Sequence, residues 1–126
     1  MNTIIFTLTV KECNAVYNFL STKAFLVFQY NGKLTRNKKF AALAAIQDAI
    51  KSDQIFIVVA TSALGLGIHI PKIVRVIHFT IPPTISVYIQ HSNRAARTQR
   101  GTSITFFNWG DSNRAKKFVV DLQDFY

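Results

Sequence analysis

A chain of 126 residues, 49% hydrophobic and only 17% charged, has the length of one domain and the composition of a packed one, which excludes disorder. Its net charge of +9, from 15 Lys and Arg against 6 Asp and Glu, suits a polyanionic partner: nucleic acid, nucleotide or an acidic membrane surface. One cysteine, Cys13, excludes an intrachain disulfide and any zinc site built from several cysteines, and no apolar run approaches the roughly 18 residues of a membrane span. The N-terminus has no basic stretch followed by a long apolar one, so no signal peptide and no membrane partner are expected, and an intracellular location is, nuclear in a eukaryote.

In chain order, residues 3–9 (TIIFTLT) are β-branched and apolar and predict a strand. Residues 11–22 set Val16, Phe19 and Leu20 at helical spacing. Residues 24–30 (AFLVFQY) predict a second strand, broken by Asn31-Gly32. Residues 35–52 predict a helix whose apolar face is Phe40, Leu43, Ala44, Ile46, Ala49 and Ile50, with Arg36, Lys38 and Lys39 clustered in its first turn. Strands follow at 55–60 (IFIVVA), apolar on both faces, and at 74–79 (VRVIHF). A short helix is expected over 85–95, a fifth strand over 102–107 (TSITFF), and a terminal helix over 111–125 with Phe118, Val119 and Leu122 facing inward. Strands alternating with helices imply βαβ units, hence an α/β three-layer sandwich around a mainly parallel, doubly wound sheet spanning residues 1–126 as one domain. With the first strand at residue 3, nothing is expected ahead of it. Ligands of such sheets bind at the carboxyl ends of the strands.

Three stretches fall where such a sheet places function. In 60–69 (ATSALGLGIH), Gly65 and Gly67 let the backbone approach a phosphate, and the hydroxyls of Thr61 and Ser62 can donate to it; ordinary turn glycines are the alternative. In 90–100 (QHSNRAARTQR), Arg94 and Arg97 lie three apart, so on a continuing helix both can converge on one phosphate; a solvated basic helix end is the alternative. In 30–36 (YNGKLTR), Gly32-Lys33 invites comparison with a phosphate-binding GxxxxGK[ST] loop, but Leu34 stands where Ser or Thr is needed and no acidic pair is placed to hold magnesium. The residues alone therefore offer no site able to run phosphoryl transfer. His69, His78 and His91 lack metal-ligand spacing, and no metal is expected. His78 reads as a strand histidine packed among its neighbours, Cys13 as a small helix-face residue, and Trp109 and most of the eleven Phe as core.

Set side by side, these stretches resemble the C-terminal, second RecA-like lobe of the RecQ family of superfamily 2 helicases. Ile4-Ile5-Phe6 with Lys11-Glu12 is similar to the opening of motif IV, and Tyr30-Asn31-Gly32-Lys33-Leu34 with Arg36 and Phe40 to "YHAGL…R…F". Residues 58–68 (VVATSALGLGI) resemble motif V, "VATxAFGMGI"; residues 76–82 (VIHFTIP) resemble "VIHxxxP"; and Tyr88, Gln90, Arg94 and Arg97 fall as in motif VI, "YxQExGRAGR". Five matches in order cover nearly the whole chain.

The resemblance implies that Arg97 is the arginine finger reaching a γ-phosphate, with Arg94 and Gln90 its motif VI companions and Gly67 and His69 at the nucleotide end of motif V. It implies nucleic-acid contacts from Thr61, Ser62, Gly65, Lys33 and Arg36. Four departures bear on the geometry: His69 stands where the family has Asp, Asn93 and Ala96 replace two glycines, and His91 replaces Glu. The first lobe, which carries the Walker A and DExH motifs, has no counterpart in the sequence; nor do the zinc subdomain and winged helix that follow in RecQ proteins. The implied protein is thus the C-terminal lobe of an ATP-dependent 3′-5′ DNA helicase. ATP and Mg2+ would be bound only with a first lobe supplied in cis or trans, and the expected nucleic-acid partner is single-stranded or unwinding DNA. The alternative is a non-catalytic nucleic-acid-binding remnant or inactive helicase fragment.

Overall fold

The computed structural model describes residues 2–23, 25–61, 73–79 and 102–105. Within them, strand β1 (Asn2–Phe6) leads to helix α1 (Val10–Ser21), strand β2 (Val27–Tyr30), helix α2 (Arg36–Lys51), and strands β3 (Ile57–Ala60), β4 (Ile73–His78) and β5 (Thr102–Thr105). The expected helices over 85–95 and 111–125, and Trp109, lie outside the described residues.

Both helices start at threonine caps. Thr9 Oγ1 accepts from Glu12 N at 3.1 Å while Glu12 Oε1 accepts from Thr9 N at 3.1 Å, a reciprocal capping box that satisfies two amides the helix leaves open. Thr35 Oγ1 accepts from Lys38 N at 3.2 Å at the start of α2. At the other end of α2, Asp53 adopts φ 55°, and its amide and that of Gln54 donate back to the Ile50 and Ala49 carbonyls at 3.1 and 2.9 Å. This is a Schellman closure with Asp in the left-handed position where Gly is usual.

The five strands form one parallel sheet in the order β2-β3-β1-β4-β5. The central strand is thus the first in the chain. Parallel strands need crossover connections, and helices α1 and α2 supply those from β1 to β2 and from β2 to β3. The register aligns the strand ends in one row: Tyr30, Ala60, Phe6, His78 and Thr105. The loops after these residues define one edge of the sheet.

The core lies between the sheet and α2. Ile4, Val58, Ala60 and Val76 are fully buried there, with Ile46 and Ala49 from α2 and Phe56 from the turn before β3; Ala42, Leu43 and Ile50 pack against them. Alternation along a strand sends Ile5 and Ile77 to the opposite face, where α1 packs. The two helices therefore flank the sheet on opposite sides, which is the doubly wound, RecA-like arrangement expected.

Two details correct the expectations. Phe40 and Ala44, placed in the apolar face of α2, are exposed. At 100° per residue they lie about 120° and 160° round the helix from Ile46, while Ala42, Leu43, Ala49 and Ile50 share its stripe. Among the described residues the phenylalanines are not mostly core: Phe19, Phe25, Phe40 and Phe79 are exposed, against the buried Phe6 and Phe56 and the partly buried Phe28.

Candidate nucleic-acid interface

The loop after β2 is built by Asn31. Its side chain is 2% exposed. Asn31 Oδ1 accepts from Lys33 N at 3.0 Å, and its own carbonyl accepts from Leu34 N at 3.3 Å. The side chain thus imitates a backbone turn, as Asn does, and projects Gly32 and Lys33 beyond the sheet edge. Its amide also donates to Cys13 Sγ at 3.9 Å, which ties the loop to α1. Cys13 in turn donates to the Val59 carbonyl at 3.6 Å. Burial pushes the Cys13 thiol up from its ordinary pKa, with hydrogen bonds from Gln29, Asn31 and Thr7 pulling the other way.

The next strand along supplies Thr61, 7% exposed, whose amide donates to the Tyr30 carbonyl at 3.3 Å. Thr61, Lys33 and Arg36, all expected to meet nucleic acid, are therefore brought to one edge: they leave the aligned ends of two hydrogen-bonded strands. Ser62, Gly65, Gly67 and His69 of the motif V stretch lie outside the described residues, as do Gln90, Arg94 and Arg97 with their neighbours His91, Asn93 and Ala96.

Two further residues join this edge. The Arg36 guanidinium stands 5.9 Å from the centroid of the Phe40 ring. Phe40 is 62% exposed, and with Tyr30, Arg36, Lys39 and Leu43 it lines a hollow of about 230 Å³. Arg36, Lys38 and Lys39 fill the first turn of α2, which has no acidic residue. The helix dipole disfavours cations there by about 0.3–1 kcal/mol each, so this cluster acts against helix stability. An exposed aromatic ring beside a guanidinium, with a lysine lining the same hollow, is chemistry that can hold a base by its face and its phosphates by charge. The sequence signal for it was present, an aromatic among three cations, but helical spacing assigned Phe40 to the core.

His78, by contrast, is structural. It is 1% exposed and stacks on Phe6, its register partner, with ring centroids 6.0 Å apart. Among the described residues no group of three or more His, Cys, Asp or Glu could hold a metal ion, and no helix is long and apolar enough to cross a membrane.

The described residues thus form a parallel sheet wound on both sides, with basic residues beyond its strand ends. Residues 1–99 match the helicase conserved C-terminal domain, and the chain belongs to that family, as the second lobe of a superfamily 2 helicase. It is 33% identical over 121 residues to the ATP-dependent RNA helicase DBP3 of Gibberella zeae, covering 95% of this chain and 20% of that protein. It is 31% identical over 117 residues to the ATP-dependent DNA helicase Q-like 4B of Arabidopsis thaliana, covering 92% of this chain and 10% of that one. The chain thus spans a fifth or less of these relatives. Among solved structures it is similar to Mss116p bound to ssRNA and AMP-PNP, with TM-score 0.80 and 28% identity over 98% of this chain and 23% of the other. Domain 2 of the DEAD-box helicase Mss116p bound to an RNA duplex gives TM-score 0.72 and 27% identity, over 84% of this chain and 41% of the other. The expected superfamily and lobe hold. The RecQ branch is not singled out, since both RNA and DNA helicases are among the relatives.

Proposed function

We propose that this chain is the strand-gripping second lobe of an ATP-dependent helicase, and that its substrate is single-stranded RNA in the first place. The observation that carries this reading is the edge formed by Lys33, Arg36, Lys39 and Phe40 beside Thr61. Lys33, Arg36 and Lys39 would bind phosphates, and the Phe40 ring would take a base face. The similarity to DBP3 and to Mss116p, one of whose structures holds ssRNA, supports RNA. The similarity to Q-like 4B and the ordered RecQ-like motifs favour the second reading, a 3′-5′ DNA helicase lobe.

ATP belongs to this proposal through the residues matching motifs V and VI. Gln90, Arg94 and Arg97, with Gly67 and His69, would face a nucleotide, with its Mg2+, held mainly by a first lobe. ATP hydrolysis there would supply the energy for the two lobes to close and reopen on the strand. This chain's own part would be charge, supplied by Arg94 and Arg97. Alone, the chain binds nucleic acid without turning over ATP.

The test is fluorescence anisotropy of the full chain with a labelled single strand, in RNA and DNA versions of one sequence. The RNA strand is expected to bind more tightly, and Phe40→Ala to weaken binding by about 1–3 kcal/mol, one stacked base. Tighter binding of DNA would replace the first reading by the second. Failure to bind either strand at low salt would sink both.

A further inference from the structure

The strand starts form the edge of the sheet opposite Lys33, Arg36 and Thr61, and a second hollow lies there. Thr3, Ile57 and Arg75 are register partners across β3, β1 and β4, so they share one face. Ile5 and Ile77, two positions on from Thr3 and Arg75, meet α1, which places this row on the α1 face. The row floors a hollow of about 310 Å³, walled by Phe25 and Leu26 ahead of β2 and by Ile55 ahead of β3. Backbone hydrogen bonds fix its rim: Ile57 N donates to the Leu26 carbonyl at 2.9 Å, and Thr3 N to the Phe56 carbonyl at 3.2 Å. The hollow is therefore built into the sheet.

Its walls are apolar and open to solvent. Ile55 is 68%, Phe25 56% and Leu26 38% exposed, three large side chains around one hollow. Apolar side chains gathered in this way mark an interaction surface. Arg75 stands half-buried among them, and among the described residues it has no hydrogen bond or ion pair. Lys23, just past the end of α1, adds a second cation on the α1 side, its ammonium 5.0 Å from the centroid of the Phe19 ring. No acid of the described residues answers them. Glu12 is held in the capping box at the far end of α1, and Asp48 and Asp53 lie in the last turn of α2 and the turn that closes it, neither of them lining the hollow. A partly desolvated guanidinium is best matched by a carboxylate, which it can bind through two parallel hydrogen bonds. The complement of this surface is an acidic group next to an apolar side chain. Nucleic acid fits it less well, because Leu26 and Ile55 offer no ring on which a base can stack.

We propose that this hollow docks an acidic peptide segment of a partner protein, with an apolar side chain seated among Phe25, Leu26 and Ile55 and a carboxylate paired with Arg75. At about 310 Å³ the space is at the small end for a ligand pocket, which suits side chains of a peptide better than a whole cofactor. The two edges of the sheet are one strand apart, on the order of 15 Å. A partner held at the strand starts therefore leaves the strand-end edge open to nucleic acid.

Peptide-phage selection on the immobilised full chain tests this, with the enriched peptides resynthesised and labelled for fluorescence anisotropy. The expected peptides carry Asp or Glu beside Phe, Leu or Ile, and their affinity is the same with and without saturating unlabelled single-stranded RNA. Ile55→Asp alters an exposed residue, and Arg75→Met keeps the aliphatic stem while removing the charge. Each is expected to weaken peptide binding tenfold or more. Enriched peptides without acidic residues, or an affinity unchanged in either variant, would overturn the proposal. Displacement of the peptide by the RNA would overturn it too, by extending the nucleic-acid path to this edge. So would a chain that is dimeric and becomes monomeric in Ile55→Asp, which would put a second copy in the hollow.

Discussion

His78 puts a titratable ring where a charge has no solvation. At 1% exposure against Phe6, burial lowers its pKa from 6.5 to about 4. The unfolded chain takes up this proton as pH falls through 6.5, and the folded chain resists until about 4. The neutral ring's contribution is therefore fully present above pH 6.5 and is lost as pH falls from there towards 4, by at most about 3 kcal/mol. Urea unfolding at pH 7.5 and pH 5 should show this loss, and His78→Phe, which keeps a ring on Phe6, should remove most of it. An equal loss in the variant would assign the titration to other groups. Cys13 is the companion case: buried and with a raised pKa, its thiol should react with a thiol reagent only as the protein unfolds. The sequence placed both residues correctly, His78 in a strand and Cys13 on a helix face. It did not reveal the convergence of Gln29 and Asn31 amides on Cys13 Sγ, because those partners lie 16 and 18 positions away and meet only when β2 docks.

At the scale of elements, ends were harder to read than existence. The strand expected over 3–9 stops at Phe6, because Thr7 to Thr9 turn to start α1. A β-branched Thr counts equally as strand former and helix cap; the deciding signal was Thr9 with Glu12 three positions on. Removing that signal should cost accordingly: Thr9→Ala is expected to destabilise the fold by about 1 kcal/mol in chemical denaturation, with Thr9→Ser nearly neutral. The strand expected over 24–30 likewise begins only at Val27, where pairing with Ile57 starts. Pairing length is set by the partner strand, which no local pattern contains. The end of α2 carries the opposite lesson, since Asp53 occupies a left-handed position that sequence alone would assign to Gly or Asn. Asp53→Val, β-branched at φ 55°, is expected to destabilise by about 1–2 kcal/mol.

At the scale of the whole molecule, alternating strands and helices made the parallel, doubly wound sheet legible, but not its order, in which the first strand becomes the centre. That order lines up five strand ends and so brings Lys33, Arg36 and Thr61 from separate stretches to one edge. A net charge of +9 would attract any polyanion, so affinity for nucleic acid does not by itself identify a site. Two double variants separate local from global charge. Arg36→Ala with Lys39→Ala removes two cations at the strand-end edge; Lys23→Ala with Lys51→Ala removes two at the ends of α1 and α2, the opposite edge. Each pair lowers the net charge from +9 to +7. If single strands lie across the strand-end edge, the first pair should flatten the slope of log K against log salt by about 1.4, from about 0.7 for each phosphate no longer neutralised. The second pair should leave that slope nearly unchanged, since charges more than about 10 Å from the strand are screened. Equal flattening by both would mean that the lobe binds by overall charge, with no defined path for the strand.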